Sequence, residues 1–297
     1  MKTRKKRTEY RLEQSAFYRL PSPRKLAQVL QLTEAEMQKL VEAGDKLYRE
    51  FDISTKNGGK RRVEEPIPIL KRVHRQIARL LSRIQAPDYL FCPVKRRSYV
   101  TNAARHQGNR VVRCLDVKTY FPSTLSRRVF WFFRTIMQCP ADVAAILAKL
   151  SCYQGHLPTG SPLSPIMSYY AHYDVWGSVA AIAATHGCVL TVYMDDVTLS
   201  GEHVRESVLW NVKQAIYKSG LRYHKEKTFI DRPAEITGVI VEATTLRAPT
   251  RQHKKLREAR IELRRPGNSG SRVLNGRVVG LQGQIKQIAD QTDKRSH

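Results

Sequence analysis

Two adjacent carboxylates between two short apolar runs constrain the fold of this chain more than any other feature. Residues 191–200 read Thr-Val-Tyr-Met-Asp-Asp-Val-Thr-Leu-Ser, so β-branched and apolar residues flank Asp195 and Asp196. Because neighbouring side chains of a strand point to opposite faces, these two carboxylates can share one site only at a bend. The sequence therefore predicts a strand, a tight Met-Asp-Asp turn and a second strand.

The charge balance indicates what such an acidic pair faces. The chain of 297 residues has 52 Lys and Arg against 26 Asp and Glu, a formal net charge of +26. An excess of this size favours a polyanionic partner, since nucleic acid releases counterions when it binds a basic surface. Acidic residues on a basic protein suggest divalent metal ions that face a phosphate-rich substrate, as in nucleotidyl transfer. A generally basic protein without a nucleic-acid role is the alternative.

Three features bear on the location of the protein. No apolar run approaches the roughly 20 residues that span a bilayer. The first residues, Met-Lys-Thr-Arg-Lys-Lys-Arg, lack the apolar region of a signal peptide. The five cysteines are dispersed without C-x-x-C spacing, which is typical of reduced thiols. We therefore expect a cytoplasmic protein with no membrane partner.

The order of predicted elements indicates an α+β architecture. A basic tail over residues 1–14 precedes helices within 24–50 and a hairpin over 51–66 that turns at Asn57-Gly58-Gly59. The remaining predictions are helices over 68–84, 125–138, 141–150, 165–186, 204–219, 250–265 and 273–290, and strands over 111–116 and within 229–241. Antiparallel strands with helices on one face form an α+β fold.

A third carboxylate completes a set that could hold metal ions. Asp116 ends the predicted strand over 111–116, and with Asp195 and Asp196 it would supply three carboxylates from adjacent strands. Two-metal phosphoryl transfer uses such carboxylates to bridge two divalent cations, and oxygen ligands suit Mg²⁺. A single Asp is more often a turn former or a helix cap, so the proposal depends on the three residues together.

Four motifs in order resemble the palm motifs of reverse transcriptases, and a basic hairpin resembles their fingers segment. The palm motifs are Leu115–Ser123, Leu157–Pro165, Tyr193–Asp196 and Gly220–Thr228, and the hairpin is Asn57–Val63. The order and spacing match from about residue 15 to residue 290. The resemblance implies a right-hand polymerase fold with fingers and an antiparallel-sheet palm over 15–245. It also implies a small basic helical thumb over 246–297.

Two further motifs resemble those of bacterial retron reverse transcriptases. Asn-Ala-Ala-Arg-His over 102–106 is similar to their Asn-Ala-x-x-His signature, and Ile-Thr-Gly over 236–238 to their Val-Thr-Gly element. Taken alone, Asn102 and His106 would be a locally hydrogen-bonded loop. Because both signatures lie in their expected places, they favour a resemblance to the retron enzymes.

The resemblance implies roles for individual residues. It implies that Asp116, Asp195 and Asp196, with Val117, hold two Mg²⁺ ions, for which Mn²⁺ could substitute. Phe121 would exclude a ribose 2′-hydroxyl. The deoxynucleotide (dNTP) would contact Lys60, Arg61, Phe121, Gly160, Ser161 and Lys227. Primer and RNA would contact Asn102, His106, Tyr193, Met194, Thr237, Gly238, Lys254, Lys255 and Arg257.

Two residues depart from the family pattern. Thr159 lies where the family usually has Gln, which puts a side-chain contact to the nucleotide there in doubt. Met194 replaces the Ala that is common in retron enzymes, a change in volume that bears on fidelity or processivity. Neither departure removes a predicted metal ligand.

The resemblance implies an RNA-directed DNA polymerase that copies a structured cognate non-coding RNA. Priming from a 2′-hydroxyl of that RNA would give a branched RNA–DNA product, and a separate effector protein would act with it in anti-phage defence. Three alternatives remain open. They are a group II intron-like or other bacterial reverse transcriptase that primes from a 3′-hydroxyl, a scaffold that binds RNA and an effector, and an RNA-templated RNA polymerase, which Phe121 disfavours.

Overall fold

A computed structural model describes residues 9–54, 58–265 and 271–293. Three predicted parts lie outside the described residues. They are most of the basic tail, Asn57 of the turn and residues 266–270 between the last two predicted helices. The described part of the tail is attached, because Tyr10 forms an isolated parallel bridge with Ile84. None of the helices in the described ranges has the length and hydropathy needed to span a membrane.

The helices and strands follow one another in the mixed order that the sequence predicts. The helices are α1 Pro23–Leu30, α2 Glu34–Ala43, α3 Pro68–Leu81, α4 Tyr99–Ala104, α5 Tyr120–Ser123, α6 Ser126–Trp131, α7 Ala141–Ser151, α8 Ser164–Ala171, α9 Tyr173–Thr185, α10 Glu206–Lys218, α11 Thr250–Arg264 and α12 Arg272–Asp293. The strands are β1 Tyr48–Ser54, β2 Lys60–Pro66, β3 Leu90–Cys92, β4 Val111–Val117, β5 Val189–Tyr193, β6 Asp196–Gly201, β7 Tyr223–Ile230, β8 Ala234–Ile236, β9 Val239–Val241 and β10 Leu246–Arg247. The α+β class is confirmed.

The chain divides into two compact units, each assembled from separate segments. The first unit contains Met1–Asp88, Val117–Ala180 and Val212–Tyr223. The second contains Tyr89–Asp116, Ala181–Asn211 and His224–His297. The predicted boundaries of fingers, palm and thumb at residues 14 and 245 stay a prediction.

A five-stranded sheet forms the centre of the second unit. Its strand order is β3-β5-β6-β4-β7. The pairs β5–β6 and β4–β6 are antiparallel, whereas β3 pairs with β5 in parallel. The inner strands β5 and β6 are almost wholly buried, which is why they read as apolar runs in the sequence.

Helices and a smaller sheet complete the second unit. Strands β10, β9 and β8 form a three-stranded antiparallel sheet. Its apolar side chains pack with Val100 and Ala103 of α4, Val112 of β4 and Ile288 of α12. Leu256 and Ala259 of α11 pack against Val278 of α12, as the apolar stripe of the basic helix predicts.

The first unit is a helical body that carries a two-stranded hairpin. Strands β1 and β2 pair antiparallel from Tyr48↔Pro66 to Ser54↔Lys60, which confirms the predicted hairpin. Helix α3 begins with Pro68 at its first turn, where a missing N–H costs nothing. Its apolar face is buried, as its 3.6-residue pattern predicts.

Two predictions of secondary structure need correction. The helix predicted over 165–186 is two helices, because His172 ends α8 in a non-helical conformation. Strand β7 was not predicted over its full length, since only its last residues fell within the predicted strand region. Its side chains are mostly exposed and charged, so no apolar alternation marks it.

Candidate active site

The turn between β5 and β6 has the predicted conformation. The register aligns Val192 with Val197 and Tyr193 with Asp196, which leaves Met194 and Asp195 as the two loop residues. Met194 has φ +60°, the left-handed conformation that a two-residue hairpin loop requires. Asp195 therefore lies in the turn and Asp196 is the first residue of β6. The predicted bend between the two carboxylates is confirmed.

Strand pairing brings the third carboxylate to the same place. Asp116 of β4 lies directly opposite Asp196 of β6 in an antiparallel ladder. Directly opposite residues of such a ladder project their side chains from the same face of the sheet. The pairing thus assembles Asp116, Asp195 and Asp196 from residues that are distant in the sequence.

The crowding of carboxylates changes the acidity of one of them. Burial, and then the negative charges of Asp195 and Asp116, raise the pKa of Asp196 to about 7. The positive charges of Lys227 and Lys225 act in the opposite direction but are outweighed. A carboxylate cluster that resists ionisation is one that a cation would stabilise.

Two basic side chains of β7, His224 and Lys225, lie beside Asp116. His224 Nδ1 lies 3.5 Å from Asp116 Oδ1, and Lys225 Nζ lies 3.8 Å from Oδ2. Sequence reasoning identified Lys227 but missed Lys225 and His224. The signal was present, because Lys225 and Lys227 are two residues apart and share one face of a strand.

Asp116 and Asp196 line a cavity of about 320 Å³ within the second unit, whereas Asp195 is not part of its lining. Six of the lining residues are predicted site residues: Asp116, Asp196, Tyr193, Lys227, Thr237 and Gly238. The lining also includes Cys114, Leu115, Thr198, Lys225 and Glu235. We call this space the carboxylate cavity.

The described residues would supply only part of the ligand shell of a divalent metal ion. Within residues 9–54, 58–265 and 271–293, no three His, Cys, Asp or Glu side chains form a metal site by themselves. Mg²⁺, however, binds through one or two carboxylates and completes its shell with water and substrate phosphates. Carboxylates beside one another and a raised Asp196 pKa match that chemistry. The side chain of Val117 has no atom that binds a metal ion, so only its backbone oxygen could serve as a ligand.

The two retron-like signatures are joined in the fold, and this corrects their predicted role. Asn102 and His106 are buried, with 0% and 1% of their surface exposed, so neither side chain is available for direct contact with RNA. Asn102 Nδ2 donates to Thr237 Oγ1 at 3.3 Å. His106 lies 2.6 Å from Ser200 Oγ and 2.8 Å from Thr191 Oγ1, on β6 and β5. These residues support the sheet and the turn that surround the carboxylate cavity.

The turn between β8 and β9 carries the predicted Thr237 and Gly238. Both residues have positive φ, of +46° and +83°. Thr237 Oγ1 donates to the Tyr99 carbonyl at 3.0 Å, and Gln252 Nε2 donates to the Gly238 carbonyl at 3.3 Å. The turn is therefore held by α4 on one side and by α11 on the other.

In the first unit, the predicted triphosphate residues Lys60 and Arg61 begin β2 and are exposed. Adjacent strand residues project to opposite faces, so the strand presents these two cations on different faces. Phe121 is half-buried in α5, with its ring 6.0 Å from that of Tyr120. Their contacts to a dNTP stay a prediction.

Gly160 and Ser161 have internal contacts that the sequence did not reveal. A Cβ on Gly160 would lie 2.8 Å from the Glu64 carbonyl oxygen, so the close approach that needs glycine is to β2. Ser161 is buried, and its Oγ lies 2.6 Å from His74 Nδ1. His74 Nε2 lies 2.6 Å from the Leu150 carbonyl, which only accepts, so Nε2 carries the hydrogen and Ser161 donates to Nδ1.

Two of the three predicted RNA contacts of α11 lie on its outer side. Lys254 and Arg257 are exposed and lie away from Leu256 and Ala259, whereas Lys255 is half-buried and lies beside that apolar stripe, four residues before Ala259. A charged outer face is also what an ordinary solvated helix has. The RNA contacts of this helix stay a prediction.

Comparison with known proteins decides the family. The family model described as "Reverse transcriptase (RNA-dependent DNA polymerase)" matches residues 54–241, more than half of the chain. The chain belongs to the reverse transcriptase family. The match begins at the end of β1 and ends at β9, so it contains the three aspartates and every predicted dNTP residue. The predicted right-hand polymerase fold is the fold of this family.

The similar proteins of this family include retron enzymes. The chain is 26% identical to the retron Se72 reverse transcriptase of Salmonella heidelberg over 60% of this chain and 47% of that protein. It is 24% identical to the retron Ec86 reverse transcriptase of Escherichia coli over 78% of this chain and 75% of that protein. The chain thus spans about half of the first relative and three-quarters of the second. The resemblance to bacterial retron reverse transcriptases is confirmed.

A solved structure is also similar. It is a foamy viral protease-reverse transcriptase in complex with double-stranded DNA, with a TM-score of 0.47 and 14% identity. The similarity covers 80% of this chain and 35% of that one.

Proposed function

We propose that this protein is a retron-type, RNA-directed DNA polymerase that makes single-stranded DNA from a structured non-coding RNA by two-metal nucleotidyl transfer. One observation carries the proposal: Asp116 lies opposite Asp196, and Asp195 is the turn residue next to Asp196. The family match and the retron relatives support the same activity. The net charge of +26 supports a nucleic-acid template.

The metal ligands of this proposal are Asp116, Asp195, Asp196 and the backbone oxygen of Val117. Two bound Mg²⁺ ions, or Mn²⁺ in their place, would activate the primer hydroxyl and neutralise charge on the leaving pyrophosphate. The strand pairing sets the backbone positions of Asp116 and Asp196 directly opposite each other. Lys227, which lines the same cavity, can donate a hydrogen bond or a proton to the pyrophosphate.

The nucleotide contacts of this proposal include Arg61 and Phe121. The exposed guanidinium of Arg61 is suited to the triphosphate, which a planar fork binds through two hydrogen bonds. The ring of Phe121 would exclude a 2′-hydroxyl and so select deoxynucleotides over ribonucleotides. These roles come from the family resemblance, and the half-buried position of Phe121 is compatible with them.

Template-directed incorporation tests the activity. The purified protein, an RNA template with a DNA primer, and Mg²⁺ are supplied with dNTPs or with ribonucleotides. We expect incorporation of dNTPs that Asp195→Asn and Asp196→Asn abolish, whereas Asp231→Asn, an exposed carboxylate paired with Arg110, retains it. Activity in the Asn variants would overturn the site, and preferential use of ribonucleotides would favour an RNA polymerase.

Retron-type priming needs its own test. We propose priming from a 2′-hydroxyl of the cognate RNA, a branched RNA–DNA product, a separate effector protein and a role in anti-phage defence in the bacterial cytoplasm. Nucleic acid extracted from the purified complex should be single-stranded DNA joined through a 2′ linkage to an RNase-sensitive segment. Products joined only to 3′ ends would favour a group II intron-like or other reverse transcriptase. An Asp196→Asn variant that still protects cells from phage would favour the scaffold.

A further inference from the structure

Strand β2 runs beside the loop that carries Gly160, and one hydroxyl joins their backbones. Thr159 Oγ1 accepts a hydrogen bond from the Glu64 N–H at 3.2 Å. The same hydroxyl donates to the Arg62 carbonyl at 3.1 Å. Thr159 therefore satisfies a donor and an acceptor of β2 at once, which an apolar side chain in its place would not do.

A buried carboxylate makes the second connection. Glu64 has only 7% of its surface exposed, and a charge in such a position requires polar partners. Its Oε2 accepts from the Thr159 N–H at 3.2 Å. His156 Nε2 lies 3.2 Å from both carboxylate oxygens. Both partners of Glu64 come from the loop side, so the carboxylate fixes β2 to residues 156–159.

The next residue of the loop closes the contact. The Gly160 N–H donates to the Glu64 carbonyl at 3.1 Å. A side chain on Gly160 would push β2 away, because its Cβ would lie 2.8 Å from that oxygen and 2.9 Å from Val63 Cγ1. The loop and β2 are thus matched in shape as well as in hydrogen bonding.

We propose that Thr159 and Glu64 are positioning residues that hold the triphosphate-binding hairpin against the nucleotide-binding loop. Arg61 lies immediately before the contact on β2, and Gly160 and Ser161 lie immediately after it on the loop. Thr159 lies where the family usually has Gln, and in this position it fixes the fingers hairpin and does not contact the nucleotide. We call these contacts the Thr159 latch, and this inference rests on the proposed nucleotide-binding role of both segments.

The test compares three substitutions in the whole protein. Thr159→Val keeps the side-chain shape and removes both hydrogen bonds, whereas Thr159→Ser keeps the hydroxyl. Thr185→Val is the matched control, because that exposed hydroxyl bonds only within α9, to Ala181 O at 2.9 Å. We expect the KM for dNTP to rise about tenfold in Thr159→Val with little change in kcat. Thr159→Ser should restore most of the affinity and Thr185→Val should behave as wild type.

Hydrogen exchange provides a readout that needs no nucleotide. The Glu64 amide should be protected in the wild-type protein and should lose about tenfold of its protection in Thr159→Val. An unprotected Glu64 amide in the wild type would overturn the latch even where a variant fails to fold. An unchanged KM in Thr159→Val would overturn its effect on nucleotide binding. Failure of the proposed function is distinguishable, because the wild-type protein would then incorporate no dNTP at all while exchange still reported on the latch.

Discussion

The β1–β2 hairpin of the first unit and the β5–β6 hairpin of the second unit hold charge in different ways. The first presents Lys60 and Arg61 to solvent, and its one buried carboxylate, Glu64, is satisfied by neighbouring donors. The second carries the half-buried Asp195 and Asp196, with Asp116 opposite Asp196, and the pKa of Asp196 rises to about 7. The buried carboxylate of the first hairpin is paired, whereas the carboxylate cluster at the second is one that a cation would stabilise.

The charged groups of the two hairpins differ in how they affect the stability of the folded protein. Ion pairs at an exposed hairpin contribute little, because water competes with each partner. Like charges in a partly buried cavity are costly, because burial removes that competition. Crowding of carboxylates therefore destabilises this site in the absence of a cation, as the demands of function often do.

The largest expected effect separates the chemistry from nucleotide binding. Asp116→Asn should lower kcat at least about a thousandfold, because it removes a proposed metal ligand. Arg61→Gln should raise the KM for dNTP by about ten- to a hundredfold with kcat retained, since it removes a charge-assisted contact to the triphosphate. Steady-state kinetics measure both changes, with the exposed Arg205→Gln as control. A loss of kcat in both variants would remove the distinction between the carboxylate cluster and the β1–β2 hairpin.

The second prediction compares a buried with an exposed arginine. Arg113 of β4 has 5% of its surface exposed and contacts the Val204 carbonyl, Thr228 and Glu206. Arg113→Gln should lower the free energy of unfolding by about 1–3 kcal/mol, because it leaves the buried Val204 carbonyl without its donor. Arg62→Gln should cost under about 1 kcal/mol, since the ion pair with Glu50 is exposed. Denaturant titration measures both, and equal losses would contradict the contrast.

The third prediction concerns two of the buried histidines, His74 of the first unit and His106 of the second. Burial lowers the pKa of His74 to about 4 and that of His106 to about 3. The unfolded chain, with an ordinary histidine pKa near about 6.5, binds protons first as the pH falls. Stability should therefore be complete above about pH 6.5 and decline below it, by on the order of 3 kcal/mol for each residue at pH 4.

Variants assign this acid sensitivity. His74→Gln and His106→Gln should each flatten the fall in melting temperature between about pH 6.5 and pH 4. The exposed His253→Gln should leave the slope unchanged. A slope that neither buried substitution alters would show that other groups cause the acid sensitivity.

The smallest effect concerns the metal ions themselves. Mg²⁺ should raise the melting temperature of the wild-type protein by a few degrees, because it binds the folded cavity and not the unfolded chain. Asp196→Asn should be as stable as the wild type or more stable in EDTA, since it relieves crowding, and should respond little to Mg²⁺. Thermal scans measure the difference. An equal response to Mg²⁺ in both proteins would place the cation elsewhere.

Local signals in the sequence predicted much of the secondary structure. Thr33 and Glu36 form the capping box expected at the start of α2, and Pro68 starts α3. The break at His172 had no such signal, because apolar residues continue on both sides of it. Strand β7 also gave no signal, since an edge strand with exposed charged residues lacks the alternation that marks a half-buried strand.

The sequence by itself determined the three aspartates, the bend between Asp195 and Asp196 and the family, because these depend on short motifs in a fixed order. Only the tertiary structure decided that Asn102 and His106 are internal supports and that Thr159 and Gly160 contact β2. Those contacts join residues more than 80 positions apart. Their existence depends on strand register and burial, and a residue pattern specifies neither until the chain has folded.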